Sequence, residues 1–131
     1  MKSLLLLTAL LFAVVLGSSS AVVTKASNPV KKQKATVTFN ATVRLMGIPL
    51  KGQYLFVHDD AAMARGEACT FVYKGDAEIS SKLVVSFHCM PTERPKVDGF
   101  VVRTELVSGS NELREYQFNG ESEAHMVPLA K

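Results

Sequence analysis

The two cysteines of this chain, Cys69 and Cys89, bracket a pair of short apolar runs, and no other feature of the sequence restricts the fold as much. The runs are Cys69-Thr-Phe-Val-Tyr-Lys74 and Lys82-Leu-Val-Val-Ser-Phe-His-Cys89, joined by a polar link. Side chains alternate along a strand, and cross-strand partners point the same way. An antiparallel pairing with Tyr73 opposite Val85, Phe71 opposite Phe87 and Cys69 opposite Cys89 puts all six side chains on one face. That register predicts an apolar ladder closed by a Cys69–Cys89 disulfide. Directly opposed residues of a non-hydrogen-bonded antiparallel pair approach closely enough to be bridged. A bridge closing a loop of about 20 residues is worth about 3 kcal/mol in the chain-entropy picture.

An oxidising compartment is needed for such a bridge to persist, and the start of the chain predicts one. Met1-Lys2-Ser3 followed by the apolar run Leu4 to Leu16 has the charged and apolar regions of a secretory signal peptide. Ser19 and Ala21 fit the small-residue cleavage rule, which places cleavage after Ala21, with cleavage after Gly17 as the alternative. The apolar run is shorter than the roughly 20 residues of a spanning helix, so a secreted or periplasmic protein without a membrane span is expected. Removing residues 1–21 from 131 leaves 110, the size of one domain able to bury a core. Fifteen Lys and Arg against 12 Asp and Glu give a net charge of +3, and the basic residues are scattered apart from Lys31, Lys32 and Lys34. A nucleic-acid partner calls for a basic face with interleaved aromatics, which is not present, so none is expected.

The rest of the chain also reads as strands. Residues 22–34 contain Pro29 and no sustained period, and are expected to be a flexible leader. From Ala35 the pattern alternates, with Val37, Phe39, Ala41 and Val43 on one side and Thr36, Thr38, Asn40 and Thr42 on the other. Gly47, Pro49 and Gly52 mark a turn region, after which Gln53–His58 reads as a strand with Tyr54, Phe56 and His58 on one face. Asp59 to Gly66 has the ingredients of one helical turn: an aspartate to cap it, alanines inside, and a glycine to end it. Met90 to Gly99, with two prolines and a glycine, is expected to be a loop. Phe100–Val107 and Glu112–Asn119 form a hairpin about Ser108-Gly-Ser-Asn111, with Phe100, Val102, Thr104 and Leu106 facing the core, and residues 121–131 are a tail. About six strands with short links and no long amphipathic helix predict an all-β, single-domain antiparallel sandwich or small barrel spanning residues 35–120.

The segment from the threonine-rich strand through Gly47-x-x-Leu50, Gly52-x-Tyr54 and the following alternating strand resembles small secreted bacterial proteins of β-sandwich type with a G-x-x-L-x-x-G-x-Y signature, with one residue fewer between Leu50 and Gly52. The resemblance spans about 25 residues and implies a β fold, not an activity.

Residues that carry chemistry are few. Cys69, His88, Cys89 and Met90 lie close in the proposed hairpin, and His58, Met63, His125 and Met126 could approach them. Cysteine, histidine and methionine together suit copper or zinc, so His58, Cys69, His88, Cys89 and His125 form an alternative metal-ligand set. No C-x-x-C or H-x-x-x-H spacing supports it, and on a regular strand His88 and Cys89 point to opposite faces. A calcium loop of Asp59, Asp60 and Glu67 is disfavoured, because adjacent aspartates do not give the alternating oxygens it needs. Ser86 and His88 share a face but stand about 6–7 Å apart along a strand, too far for a nucleophile and its base, and no G-x-S-x-G elbow occurs. The acidic pair Glu121 and Glu123 falls in the tail. The sequence thus predicts an exported, non-enzymatic binding or structural module with no cofactor, its partner an unknown protein or small molecule. A soft-metal-binding protein is the second reading and a small hydrolase the third.

Overall fold

The computed structural model describes residues 31–130. The expected signal peptide, and the leader as far as residue 30, lie outside them. The described residues are mostly β, and their strands all belong to one sheet, curled into a half-barrel. The strands are β1 (Lys32–Leu45), β2 (Ile48–Asp59), β3 (Thr70–Lys74), β4 (Leu83–Phe87), β5 (Met90–Glu93), β6 (Val101–Val107), β7 (Ser110–Gln117) and β8 (Glu123–Met126). They run in the order β4-β3-β2-β1-β7-β8-β5, with β6 on the other side of β7. The five-residue helix α1 (Asp60–Ala64) links β2 to β3, and a short 3-10 turn at Ser80–Lys82 precedes β4.

Among the described residues eight strands are present where six were expected. The two additional ones form between segments assigned to a loop and a tail: β5 and β8 pair with each other, Pro91 lying opposite His125. A proline is accepted there because β5 ends the sheet, where no ladder donor is needed on its outer side. β8 also pairs with β7, so Ala124, His125 and Val127 are buried and residues 123–127 belong to the domain. At the other end β1 begins at Lys32, three residues into the expected leader, with Lys32 opposite Asp59.

Strand register follows burial, with three irregularities. In β1 the alternation holds through Phe39, and Thr36, Thr38 and Asn40 face out as expected. A bulge then moves the pairing from Phe39↔Gly52 to Val43↔Leu50, and Ala41, expected inside, is exposed. The β3–β4 hairpin is one residue off the expected register: Thr70 faces Phe87, Phe71 faces Ser86 and Val72 faces Val85, before a bulge puts Tyr73 opposite Leu83. Because a one-residue slip turns each side chain to the other face, Thr70 and Val72 enter the core in place of Phe71 and Tyr73. Between β6 and β7 a third bulge at Arg114 lets Leu113, Tyr116 and Phe118 all reach the core. Thr104 and Leu106, expected inside, are exposed. The turn joining β6 and β7 is tighter than expected, with Ser108 and Gly109 both at positive φ as a two-residue type I′ hairpin requires.

The core fills the concave face: Phe39, Val43, Leu45, Leu50, Tyr54, Phe56, Val72, Phe87, Leu113, Tyr116, Phe118 and Val127. An aromatic group at its centre packs Phe56, Phe100, Tyr116 and Phe118 with ring centroids 5.2–6.0 Å apart. The outward face of β7 is polar and covered by the chain after β5: Glu115 accepts from Arg94 and Arg103, and Gln117 Nε2 donates to the carbonyls of Pro95 and Glu121. Arg94 first, with Arg103, holds the Glu115 carboxyl below the usual carboxylate range. The described residues contain no helix long and apolar enough to cross a membrane.

Candidate functional site

Four residues from four separate elements meet at the end of the core where β2, β3, β5 and β8 converge. His58 comes from the end of β2, Cys69 from just before β3, Cys89 from between β4 and β5, and His125 from β8. Neither cysteine lies within the β3–β4 ladder. They meet because the amide of Cys69 donates to the carbonyl of Phe87 at 3.2 Å, carrying the hairpin one step further with irregular backbone on both sides.

The two sulfurs are 2.7 Å apart, and both are thiols. The amide of Cys89 donates to Cys69 Sγ at 3.2 Å, and Cys89 Sγ lies 3.6 Å from His125 Nδ1. The His125 ring stacks on Tyr116 with centroids 5.0 Å apart and lies 4.1 Å from the ring of His58. Beneath them the hydroxyls of Thr70 and Tyr116 are hydrogen-bonded. The ligand atoms of His58, Cys69 and Cys89 fall within 4.8 Å of one another. His58 Nδ1 lies 3.2 Å from Asp60 Oδ1, but at an angle that makes no hydrogen bond, so both ring nitrogens are buried without a hydrogen-bond partner.

The cluster is sealed. His58 and Cys69 are each 1% exposed, His125 3% and Cys89 8%. Sealing sets the protonation states, because burial disfavours whichever form is charged. It pushes the Cys89 thiol up to about 12, with the adjacent Cys69 adding to the effect. Burial lowers His125 to about 4, the neighbouring His58 ring acting in the same sense, and lowers His58 despite the opposing pull of Asp60. Tyr116 is pushed above its ordinary value by the same burial. At neutral pH Cys89 is a thiol and both imidazoles are uncharged. A thiol so far from ionising is a poor nucleophile, since the thiolate is the reactive form.

The structure therefore brings together His58, Cys69, Cys89 and His125 from the metal-ligand set and leaves out the fifth residue, His88, which is exposed between β4 and β5. Met63, Met90 and Met126 are exposed as well. Ser86, the hydrolase candidate, is exposed on β4 opposite Phe71. Asp59 caps α1 by accepting from the amides of Ala61 and Ala62, and Glu67 pairs with Arg65, so two members of the calcium trio are engaged elsewhere. Three contributors were not singled out from the sequence as parts of this site: Thr70, Tyr116 and Asp60. Only Asp60 left a trace there, as a second aspartate that the helix cap does not need.

Comparison with protein-family models, with curated proteins and with solved structures found no match.

Proposed function

We propose that this chain is an exported, non-enzymatic β domain, a structural or binding module of the cell envelope or extracellular space, in which Cys69 and Cys89 are joined after export. The observation that carries the reading is the closure of the only cluster of chemistry-bearing side chains found among the described residues. With His58 and Cys69 at 1% exposure, no molecular substrate reaches the cysteines, and the Cys89 thiol, pushed up by burial, is a poor nucleophile. What can enter is limited to protons, electrons or a bare ion. Those are the reactants of a staple, not of a catalytic cycle on a substrate.

Geometry supports the bridge. A disulfide spans about 2.05 Å, so the sulfurs need to close by about 0.7 Å from their 2.7 Å separation, within the reach of small χ adjustments on irregular backbone. Export is supported by the charged start, the apolar run Leu4 to Leu16 and the small residues before Val22. A partner, protein or small molecule, would be met at the surface. The strands β4 and β5 terminate the sheet order and present free backbone groups to an added strand.

The test is intact mass spectrometry, under denaturing conditions, of protein recovered from the exported fraction, with and without reductant. The expected chain starts at Val22 and is two hydrogens lighter before reduction than after. An uncleaved chain retained with the cytoplasm, or an exported chain with two free thiols, would overturn the reading.

A further inference from the structure

We infer that the reduced form of this cluster is a tetrahedral metal site, in which Cys69, Cys89, His58 and His125 hold one zinc-like d10 ion. The inference takes the thiol state of the pair that the preceding reading bridges, so the disulfide and the ion are alternative occupants of one cavity.

Four observations carry it. The first is the donor set: the ligand atoms of His58, Cys69 and Cys89 lie within 4.8 Å of one another, His125 Nδ1 lies 3.6 Å from Cys89 Sγ to offer a fourth, and two sulfurs with two nitrogens in a tetrahedron is a preferred arrangement for zinc. The second is His58. A buried polar group normally has a partner, and both ring nitrogens of His58 lack one. A disulfide between the cysteines would leave that deficit in place, whereas an ion bound through Nε2 removes it.

The third observation is the support behind His58. Metal-bound histidines commonly give their second N–H to a carboxylate that fixes ring orientation. Asp60 Oδ1 stands 3.2 Å from His58 Nδ1, and the other carboxylate oxygen accepts from the Lys31 amide at 3.2 Å, so the carboxylate is itself held. With Nδ1 given to Asp60, Nε2 is the ring nitrogen left for the ion.

Charge supplies the fourth. Two thiolates and a divalent cation sum to zero, and a neutral site is what a sealed apolar core tolerates. A monovalent copper ion would leave a net charge of −1 buried among Phe56, Tyr116 and Phe118. Binding converts two thiols into two thiolates and releases two protons to solvent, with no electron transferred. Two thiolates around one tetrahedral ion stand about 3.7 Å apart, so the sulfurs open by about 1 Å.

The experiment uses the mature full chain, reduced with a phosphine under anaerobic conditions and stripped of metal. Cobalt(II) is added as a coloured substitute for zinc. The expected result is one cobalt per chain, with a thiolate-to-cobalt charge-transfer band and the intense visible bands of a tetrahedral ion, displaced by one equivalent of zinc. Cys69→Ser and Cys89→Ser each abolish the charge-transfer band or sharply weaken it, and the exposed His88→Ala leaves the titration unchanged. Asp60 is partly exposed and outside the core, so Asp60→Asn keeps the fold while weakening binding about 10- to 100-fold. Any of three results would overturn the inference: no charge-transfer band in the folded reduced chain, a band that survives both serine variants, or a band lost in His88→Ala. Displacement by copper(I) but not by zinc would overturn the charge argument and the zinc assignment with it. Failure of cobalt to bind leaves the disulfide reading untouched. Conversely, an exported chain carrying two thiols and one zinc refutes the bridged form and upholds the site.

Discussion

Acid should unfold this protein earlier than its carboxylates require, and the buried histidines are the reason. In the metal-free folded chain His125 stays uncharged down to about pH 4, because burial and the adjacent His58 ring oppose its protonation, whereas the ordinary value is 6.5. Between those limits protons bind the unfolded chain and not the folded one, so stability present above pH 6.5 is lost as pH falls toward 4. At about 1.4 kcal/mol per pH unit the ceiling is roughly 3 kcal/mol, of which about 2 kcal/mol has gone by pH 5. His58, also lowered by burial, adds to the loss with the same sign. The groups facing His125 are Cys89, Tyr116 and His58; the first two stay neutral throughout the range, and the partly exposed Asp60 opposes the effect only weakly. The ion-paired carboxylates Glu78 and Glu115, held below their ordinary 4.5, lose their contribution only below that pH. Urea unfolding at pH 7, 6 and 5 with a chelator present separates the two sources. Wild type should lose at least about 2 kcal/mol from pH 7 to 5, and His125→Gln less than half of the wild-type loss. A midpoint that does not move between pH 7 and 5, or a variant that tracks wild type, would refute the reasoning.

Three further outcomes follow from packing. Tyr116→Phe leaves the fully buried Thr70 hydroxyl without its partner and should cost about 1–2 kcal/mol in urea unfolding, with the β fold retained by circular dichroism. Phe56→Ala empties the centre of the aromatic group and should cost about 3–5 kcal/mol by the same measurement. Ser108→Asn places an Asn-Gly pair in the type I′ turn, where Ser108 is held at a φ of 51°, and should raise stability by about 0.5 kcal/mol, seen as a higher melting temperature.

What the sequence disclosed divides along the range of the interactions involved. Local rules were sufficient for the inward alternation of Ala35, Val37 and Phe39, for the capped turn from Asp59 to Gly66, whose glycine adopts a φ of 74°, and for the β6–β7 hairpin. They failed where a partner far along the chain decides the structure. The strands β5 and β8, each four residues long, exist only because they pair with each other and with β7; alone, Met90–Glu93 is a proline-bearing loop and Glu123–Met126 a tail. Registers were missed at bulges. An insertion in β1 turns Ala41 outward, and one in the β3–β4 hairpin accompanies the slip that puts Thr70 and Val72 inside. The two cysteines come close despite that slip, though as free thiols and not as the expected disulfide, because they lie outside the ladder on irregular backbone. Of the metal-ligand set, His88 sits beside Cys89 in sequence yet faces solvent, while His125, separated from Cys89 by 36 positions, lies against it. Tyr116 and Thr70 carried no signal, since an alternating tyrosine and a strand-initial threonine read the same at the surface and in a core.

The measurement that bears most directly on a sealed cysteine–histidine cluster is alkylation of the reduced, metal-free protein with iodoacetamide, followed by intact mass. The native chain should remain unlabelled over hours and gain two labels promptly in urea, because Cys69 at 1% and Cys89 at 8% exposure are reached only through unfolding. Labelling of either cysteine in the native chain at the rate of a free thiol would contradict the account.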